Sequence, residues 1–232
     1  MFVPIRDENP LRSIRLQYVT IGLIALNVAG FLLEISGLPT GVVASFAVVP
    51  SELLKVNLLG GAAFGPNDAL AVPEYYTLLS YMFLHGDIFH LASNMLFLWV
   101  FGDNVEDAMG HAKFLVFYVL CGIAAALAHT VMQPASNIPL IGASGSVAGV
   151  IAAYLILHPR VRVWVLAFRF IPLRISAAFA LGAWMLMQIV MLVLPQGDHV
   201  AWWAHIGGVL AGAVLVLFMR RPGVPLFDRD PA

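Results

Sequence analysis

The sequence predicts an all-α, polytopic membrane protein built as a six-transmembrane-helix bundle with a short fourth helix. Of the 232 residues, 61% are hydrophobic and 11% are charged, whereas an ordinary soluble domain carries about 25% charged residues. Six apolar runs divide the chain, and nearly all positive charges fall in alternate segments between them. The lipid bilayer is therefore the solvent that this composition fits.

The six runs are each long enough, or nearly long enough, to cross a membrane. They cover residues 18–36, 84–101, 114–132, 143–157, 175–194 and 201–219. A helix needs about 20 apolar residues to cross the hydrocarbon core. These runs define one membrane domain over residues 18–219, with an N-terminal segment (1–17) and a C-terminal tail (220–232).

The fourth run is too short to cross as a straight helix. Pro139 and Gly142 disfavour helix before Ala143. The remaining helix is about 22 Å long, about 8 Å less than the usual core thickness. We expect it to begin inside the membrane. Irregular backbone at that depth requires cover from protein or a water-filled cavity, so residues 137–142 predict a cavity beside the start of this helix.

Positive charge orients the chain, because cytoplasmic loops carry an excess of lysine and arginine. With six alternating spans, one side receives Arg6, Arg12, Arg15, Lys113, Arg160, Arg162, Arg169, Arg174, Arg220, Arg221 and Arg229. The other side receives Lys55. Both termini are predicted to be cytoplasmic. The first run has no evident cleavage site after it, and no transit-type leader is evident, so we expect a retained span in a bacterial inner membrane.

The long connection over residues 37–83 is unusually apolar for a loop, with Val42, Phe46, Leu53, Leu58 and Leu59 among its residues. It predicts a short amphipathic helix lying in the membrane interface. The alternative is a folded extracytoplasmic loop that packs on the spans.

Polar side chains within apolar spans are candidates for function. Ser144 stands where the fourth helix begins, and the free N–H groups and dipole there favour developing negative charge. It could serve as a nucleophile. The alternative is packing, because Gly145, Gly149 and Ala153 form a stripe of small residues at four-residue spacing.

His205 lies on the sixth run beside Gly208 and Gly212, a G-x-x-x-G pair that allows another helix to approach closely. We expect that helix to be the fourth, so that the imidazole can accept a proton from Ser144. The alternative is a histidine that forms a structural hydrogen bond between helices.

His90 and Asn94 share one face at the start of the second run, and both can donate hydrogen bonds to an oxyanion. His85 at the mouth of this helix is interpreted as structural. No carboxylate lies deep in a span to orient His205, so the residues predict a dyad and not a triad. No H-E-x-x-H pair is present, and we predict no metal and no other cofactor. The net charge of −1 does not indicate nucleic acid as a partner.

Four motifs in this order resemble the rhomboid family of intramembrane serine proteases. The resemblance covers residues 81–212 and falls on the second, fourth and sixth runs. The motifs are His85-Gly86-x-x-x-His90-x-x-x-Asn94-Met95, Gly102-x-x-x-Glu106-x-x-x-Gly110, Gly142-Ala143-Ser144-Gly145 and Ala204-His205-x-x-Gly208-x-x-x-Gly212.

The resemblance implies a role for each matching position. Ser144 would be the nucleophile and His205 the general base, while His90, Asn94 and the backbone N–H of Ser144 would form the oxyanion hole. Glu106 would tie down the connection after the second span. The implied fold places the serine-bearing helix at the centre of the bundle.

The substrates implied by the resemblance are single-span membrane proteins, cut within the bilayer. The sequence departs from the family pattern at Ala148, where an aromatic residue often stacks on the catalytic histidine. It also has Tyr76-Thr77 in place of a Trp-Arg pair, and Val200 in place of a glycine. Two other functions remain open: a chaperone that binds client helices without cutting them, and a small transporter or proton channel.

Overall fold

The protein is a helical bundle with a small sheet at one end. The computed structural model describes residues 3–55, 68–167, 170–194 and 200–228. The α-helices in these ranges are α1 (Tyr18–Ile35), α2 (Thr40–Ala44), α3 (Pro50–Leu53), α4 (Glu74–Ser80), α5 (Ile88–Met109), α6 (His111–Met132), α7 (Ser144–Leu157), α8 (Ala177–Val193) and α9 (Trp202–Met219). A 3-10 helix, Tyr81–Phe83, joins α4 to α5. The strands are β1 (Val3–Asp7), β2 (Arg162–Ala167) and β3 (Ile171–Ser176).

The helical membrane bundle predicted from the sequence is confirmed. Helices α1, α6 and α9 are long and apolar enough to cross a membrane, and α7 and α8 are shorter apolar helices. Helix α5 differs from its predicted span, because it begins at Ile88 and continues to Met109. Its last two turns are polar but buried, since their carboxylates find partners in the N-terminal part of the chain.

Helix α7 lies at the centre of the bundle. It has 14 residues, and all of those from Gly145 to Tyr154 are buried. A helix that is apolar on every face belongs inside a larger structure. It packs against α5, α6 and α9, so Ser144 at its first position opens onto one end of the bundle.

A three-stranded antiparallel sheet, which is not among the elements predicted from the sequence, covers the opposite end of the bundle. Strand β2 lies in the middle, with Val3 paired to Leu166 and Arg162 paired to Ser176. Val163 and Val165 are buried beneath it. The segment before the first span is thus partly folded. Arg169 and Arg229, which contributed to the charge argument, lie outside the described residues.

The connection between α1 and α5 is folded against the bundle where it is described. Val48 and Leu140 exchange backbone hydrogen bonds of 3.1 and 2.7 Å. The hydroxyl of Ser80 donates to the carbonyl of Phe46 at 2.7 Å. These contacts favour the alternative of a packed loop. Its position relative to the membrane interface stays a prediction, and Leu58 and Leu59 lie outside the described residues.

Candidate active site

Ser144 and His205 meet between α7 and α9. The hydroxyl oxygen of Ser144 lies 2.9 Å from Nε2 of His205, and both side chains are partly buried. At this distance the serine hydroxyl can donate to an unprotonated Nε2. The arrangement is that of a nucleophile and its base.

Glycines bring the two helices to backbone contact. A methyl group on Gly208 would lie 2.0 Å from the carbonyl oxygen of Gly145, and one on Gly212 would lie 2.3 Å from that of Gly149. Only hydrogen fits at these two positions. The small residues of α7 and the G-x-x-x-G pair of α9 therefore set the distance at which Ser144 and His205 can bond.

Gln188 on α8 is a further member of the site and is not among the residues predicted from the sequence. Its side-chain oxygen lies 2.9 Å from Nδ1 of His205, and the side chain is 2% exposed. An amide oxygen can only accept, so it favours the tautomer of His205 that carries its proton on Nδ1. That tautomer leaves the lone pair of Nε2 directed at Ser144. A polar residue in the middle of an apolar run was the available signal.

Two tryptophans surround the His205 ring in the absence of an aromatic residue at position 148. The Trp184 ring lies 6.1 Å from it at an interplanar angle of 36°, and the Trp202 ring lies 5.9 Å away, edge to face. Trp184 packs against the buried cluster that contains Ala148. The small side chain of Ala148 thus leaves room for an aromatic residue from α8.

His90 and Asn94 lie in the first two turns of α5, which Asp87 caps by accepting from the backbone N–H groups of Phe89 and His90. The Nδ2 of Asn94 lies 3.1 Å from Nε2 of His85, which is 2% exposed. The structure therefore pairs His85 with Asn94.

The segment that leads into α7 lies against His90 and Asn94. Gly142 has a φ of +114°, and a methyl group there would lie 2.6 Å from Nε2 of His90 and 3.8 Å from Nδ2 of Asn94. The backbone N–H of Gly142 donates to the carbonyl of Tyr81 at 2.9 Å. Two side-chain donors thus converge beside the start of α7.

Glu106 lies at the far end of α5, away from the serine. Its carboxylate is fully buried and accepts from the backbone N–H groups of Val19 and Thr20 at 3.0 and 2.8 Å. It also lies 2.5 Å from Nδ1 of His111, the first residue of α6. This side chain satisfies the free N–H groups at the start of α1, for which Gln17 provides no cap.

Residues that could hold a metal ion are separate from this site. Within the described ranges, a group of close acidic oxygens comes from Glu52, Asp68 and Glu74 in the connection between α1 and α5.

The fold and the site define a helical integral membrane protein with a hydrogen-bonded serine and histidine on adjacent helices. Residues 72–222 match the family model for the Rhomboid domain. The chain belongs to the rhomboid family.

Related proteins come from bacteria and from organelles. Rhomboid protease GluP of Bacillus subtilis (strain 168) is 38% identical over 44% of this chain and 21% of its own length. The mitochondrial presenilin-associated rhomboid-like protein of Homo sapiens is 32% identical over 59% of this chain and 36% of its own length. Rhomboid-like protein 11, chloroplastic, of Arabidopsis thaliana is 28% identical over 68% of this chain and 57% of its own length. The matched region thus spans about a fifth to three fifths of these relatives.

Proposed function

We propose that this protein is an intramembrane serine endopeptidase that cuts the transmembrane segments of single-span membrane proteins. The observation that carries the proposal is the 2.9 Å contact between the Ser144 hydroxyl and Nε2 of His205. Membership of the rhomboid family and the likeness to a relative named as a protease support it.

The proposed reaction is acyl transfer. His205 takes the proton of Ser144 as the hydroxyl attacks the scissile carbonyl, and returns it to the departing amine. His90, Asn94 and the backbone N–H of Ser144 donate to the oxyanion, and each such donor typically lowers the barrier by about 3–4 kcal/mol. Water then hydrolyses the acyl-enzyme by the same proton path. The reaction needs no cofactor.

The proposed location is a bacterial inner membrane with both termini in the cytoplasm. The charge bias supports this orientation, because the predicted spans place nearly all lysines and arginines on one side. Ser144 then opens toward the outer side, where water reaches it. The substrate would enter the bundle at that end.

Labelling with a fluorophosphonate tests the proposal, because the probe reacts with an activated serine. The purified wild-type chain should label at Ser144 and cleave a single-span test substrate in proteoliposomes. Ser144→Ala and His205→Ala should lose both signals.

Ser146→Ala is the matched control. Ser146 lies two residues further along α7, is fully buried and donates to the sulfur of Met82 at 3.1 Å. This variant should keep labelling and cleavage. A folded wild-type protein that neither labels nor cleaves would exclude the protease, leaving a helix-binding chaperone. Proton flux into liposomes that depends on His205 would indicate a channel.

A further inference from the structure

Three carboxylates converge in the connection between α1 and α5, outside the predicted spans. They come from Glu52 in α3, from Asp68 before α4 and from Glu74 at the first position of α4. One oxygen from each lies within 4.8 Å of the other two. Three acidic groups at this separation repel one another unless protons or a cation neutralise them.

Glu74 is the buried member of this group. Its side chain is 2% exposed, and Oε2 has no hydrogen-bond partner among the described residues. Buried polar atoms in folded proteins nearly always have a partner. A buried carboxylate with an unpartnered oxygen, close to two other carboxylates, indicates that a ligand belongs between them.

The electrostatics of the cluster are unfavourable as the three side chains stand. Burial, followed by the charges of Glu52 and Asp68, raises the pKa of Glu74 to about 7. Burial and Asp68 also raise the pKa of Glu52, although the ammonium of Lys55 opposes the shift. At Glu52 the lysine is thus outweighed by burial and by Asp68, and a divalent cation between the three oxygens would neutralise their charge directly.

We propose that Glu52, Asp68 and Glu74 bind one Ca²⁺ ion. An all-oxygen, carboxylate-rich donor set suits a hard cation. Ca²⁺–oxygen distances of about 2.4 Å separate opposite ligands by about 4.8 Å, whereas the shorter Mg²⁺ bonds allow only about 4.1 Å. The oxygens lie within 4.8 Å of one another, a separation that Ca²⁺ ligands can have, and Ca²⁺ tolerates irregular ligand geometry whereas Mg²⁺ demands a near-ideal octahedron. This site is distinct from the serine–histidine pair, for which the sequence predicts no metal.

The backbone around each ligand is already fixed. The N–H of Ser51 donates to the carbonyl of Ser136 at 3.1 Å. The N–H of Leu70, near Asp68, donates to the hydroxyl of Ser45 at 3.0 Å. The hydroxyl of Thr77 donates to the carbonyl of Glu74 at 2.6 Å. Fixed ligands lose little conformational entropy when an ion binds.

A bound ion would join three separate stretches of the connection at the end of the bundle where α7 begins. Helix α4 continues into the 3-10 helix, in which the carbonyl of Tyr81 accepts from Gly142. The expected effect is a more stable outer end of the fold.

The test measures Ca²⁺ binding and thermal unfolding of the full chain in detergent after treatment with EDTA. It is run on the Ser144→Ala background, so its result does not depend on proteolysis. We expect a Kd of about 0.5 mM, which lies within the range of extracellular Ca²⁺ sites. At that affinity, 10 mM Ca²⁺ should raise Tm by about 4 °C. Calorimetric titration with CaCl₂ should give one ion per chain. Mg²⁺ should produce a smaller shift.

Glu74→Gln and Asp68→Asn should abolish the Ca²⁺ response. In EDTA, Glu74→Gln should be at least as stable as its parent, because it removes a buried anion. Glu8→Gln, at the sheet end of the molecule, is the control and should keep the full response. The proposal is overturned if the parent does not respond to Ca²⁺, if Glu74→Gln responds equally, or if Mg²⁺ shifts Tm as much. A parent whose Tm rises below pH 7 but ignores Ca²⁺ would show that protons neutralise the cluster instead.

Discussion

The side-chain oxygen of Gln188 lies 2.9 Å from Nδ1 of His205, and Ser144 lies 2.9 Å from the other ring nitrogen. The imidazole is therefore held on both sides by neutral groups from two other helices. A glutamine occupies the position at which many serine hydrolases place a carboxylate. It can fix the tautomer and the ring orientation without adding a charge to the bundle.

Gln188 is expected to position the base of the proposed reaction. Gln188→Leu leaves a buried N–H without an acceptor, which typically costs about 1–3 kcal/mol. Fluorophosphonate labelling of Ser144 should slow about 10–100-fold as the ring loses its fixed orientation. Gln188→Glu keeps an acceptor oxygen at the same position and should restore most of the labelling rate.

Stability and labelling must be compared in the same samples. Met187→Leu, at the neighbouring position of α8, is the control for a change of apolar volume and should label at the wild-type rate. If Gln188→Leu labels as fast as wild type, Gln188 has a packing role only. An equal loss in both glutamine variants would also contradict the role of its acceptor oxygen.

Asn94 should act on the oxyanion and leave the nucleophile intact. Its amide points toward the segment before Ser144 and bonds His85 at 3.1 Å. Asn94→Ala should reduce kcat for a single-span substrate by about 10²–10³-fold and leave KM nearly unchanged. Ser93→Ala, the exposed neighbour, should keep the wild-type kcat. A rise in KM at constant kcat would place Asn94 in substrate binding instead.

The length of the apolar runs predicted the helices, and the G-x-x-x-G spacing predicted the approach of α7 to α9. Both patterns can be recognised within a single stretch of sequence. The sheet was missed because β1 pairs with β2 across more than 150 residues, and short strands between spans resemble loops. The predicted second span stops before α5 does, because a charged residue such as Glu106 is typical of a loop unless its partners in α1 are known. Gln188 was missed because the side of α8 that faces His205 is decided by tertiary packing.

Asp7 in β1 should make stability depend on pH. It accepts a hydrogen bond from the hydroxyl of Tyr154 at 2.5 Å, yet burial raises the pKa of Asp7 above its ordinary value of 3.8. The native state then binds this proton more tightly than the unfolded state, so stability falls as pH rises from 3.8 through the raised pKa. Asp7→Asn retains an acceptor and removes the charge.

The difference in Tm between Asp7→Asn and wild type measures this contribution. The difference should be small near pH 3.5, where Asp7 of the native wild type is protonated and therefore neutral like the asparagine of the variant. It should grow to a constant positive value by pH 7.5. Thermal unfolding across this range gives the curve. A difference that stays the same at every pH, or that favours wild type at neutral pH, would contradict the assignment.

Gly208 should tolerate no side chain, because its hydrogen faces the backbone of α7. A methyl group there would lie 2.0 Å from the carbonyl oxygen of Gly145, and neither helix backbone can yield without separating the pair. Overpacking of this kind typically destabilises a protein by about 1–3 kcal/mol. Gly208→Ala should therefore lower Tm by at least about 2–4 °C.

The same change should weaken labelling of Ser144, because it moves α9 and the His205 ring away from the serine. Gly182→Ala on α8 is the matched control, because a methyl group at that position would have no atom within 4 Å apart from its chain neighbours and the backbone of its own helix. Alanine also favours helix over glycine by about 1 kcal/mol, so Gly182→Ala should equal or exceed the wild-type Tm with unchanged labelling. If Gly208→Ala matched this control in both measurements, the contact between α7 and α9 would not be what holds Ser144 beside His205.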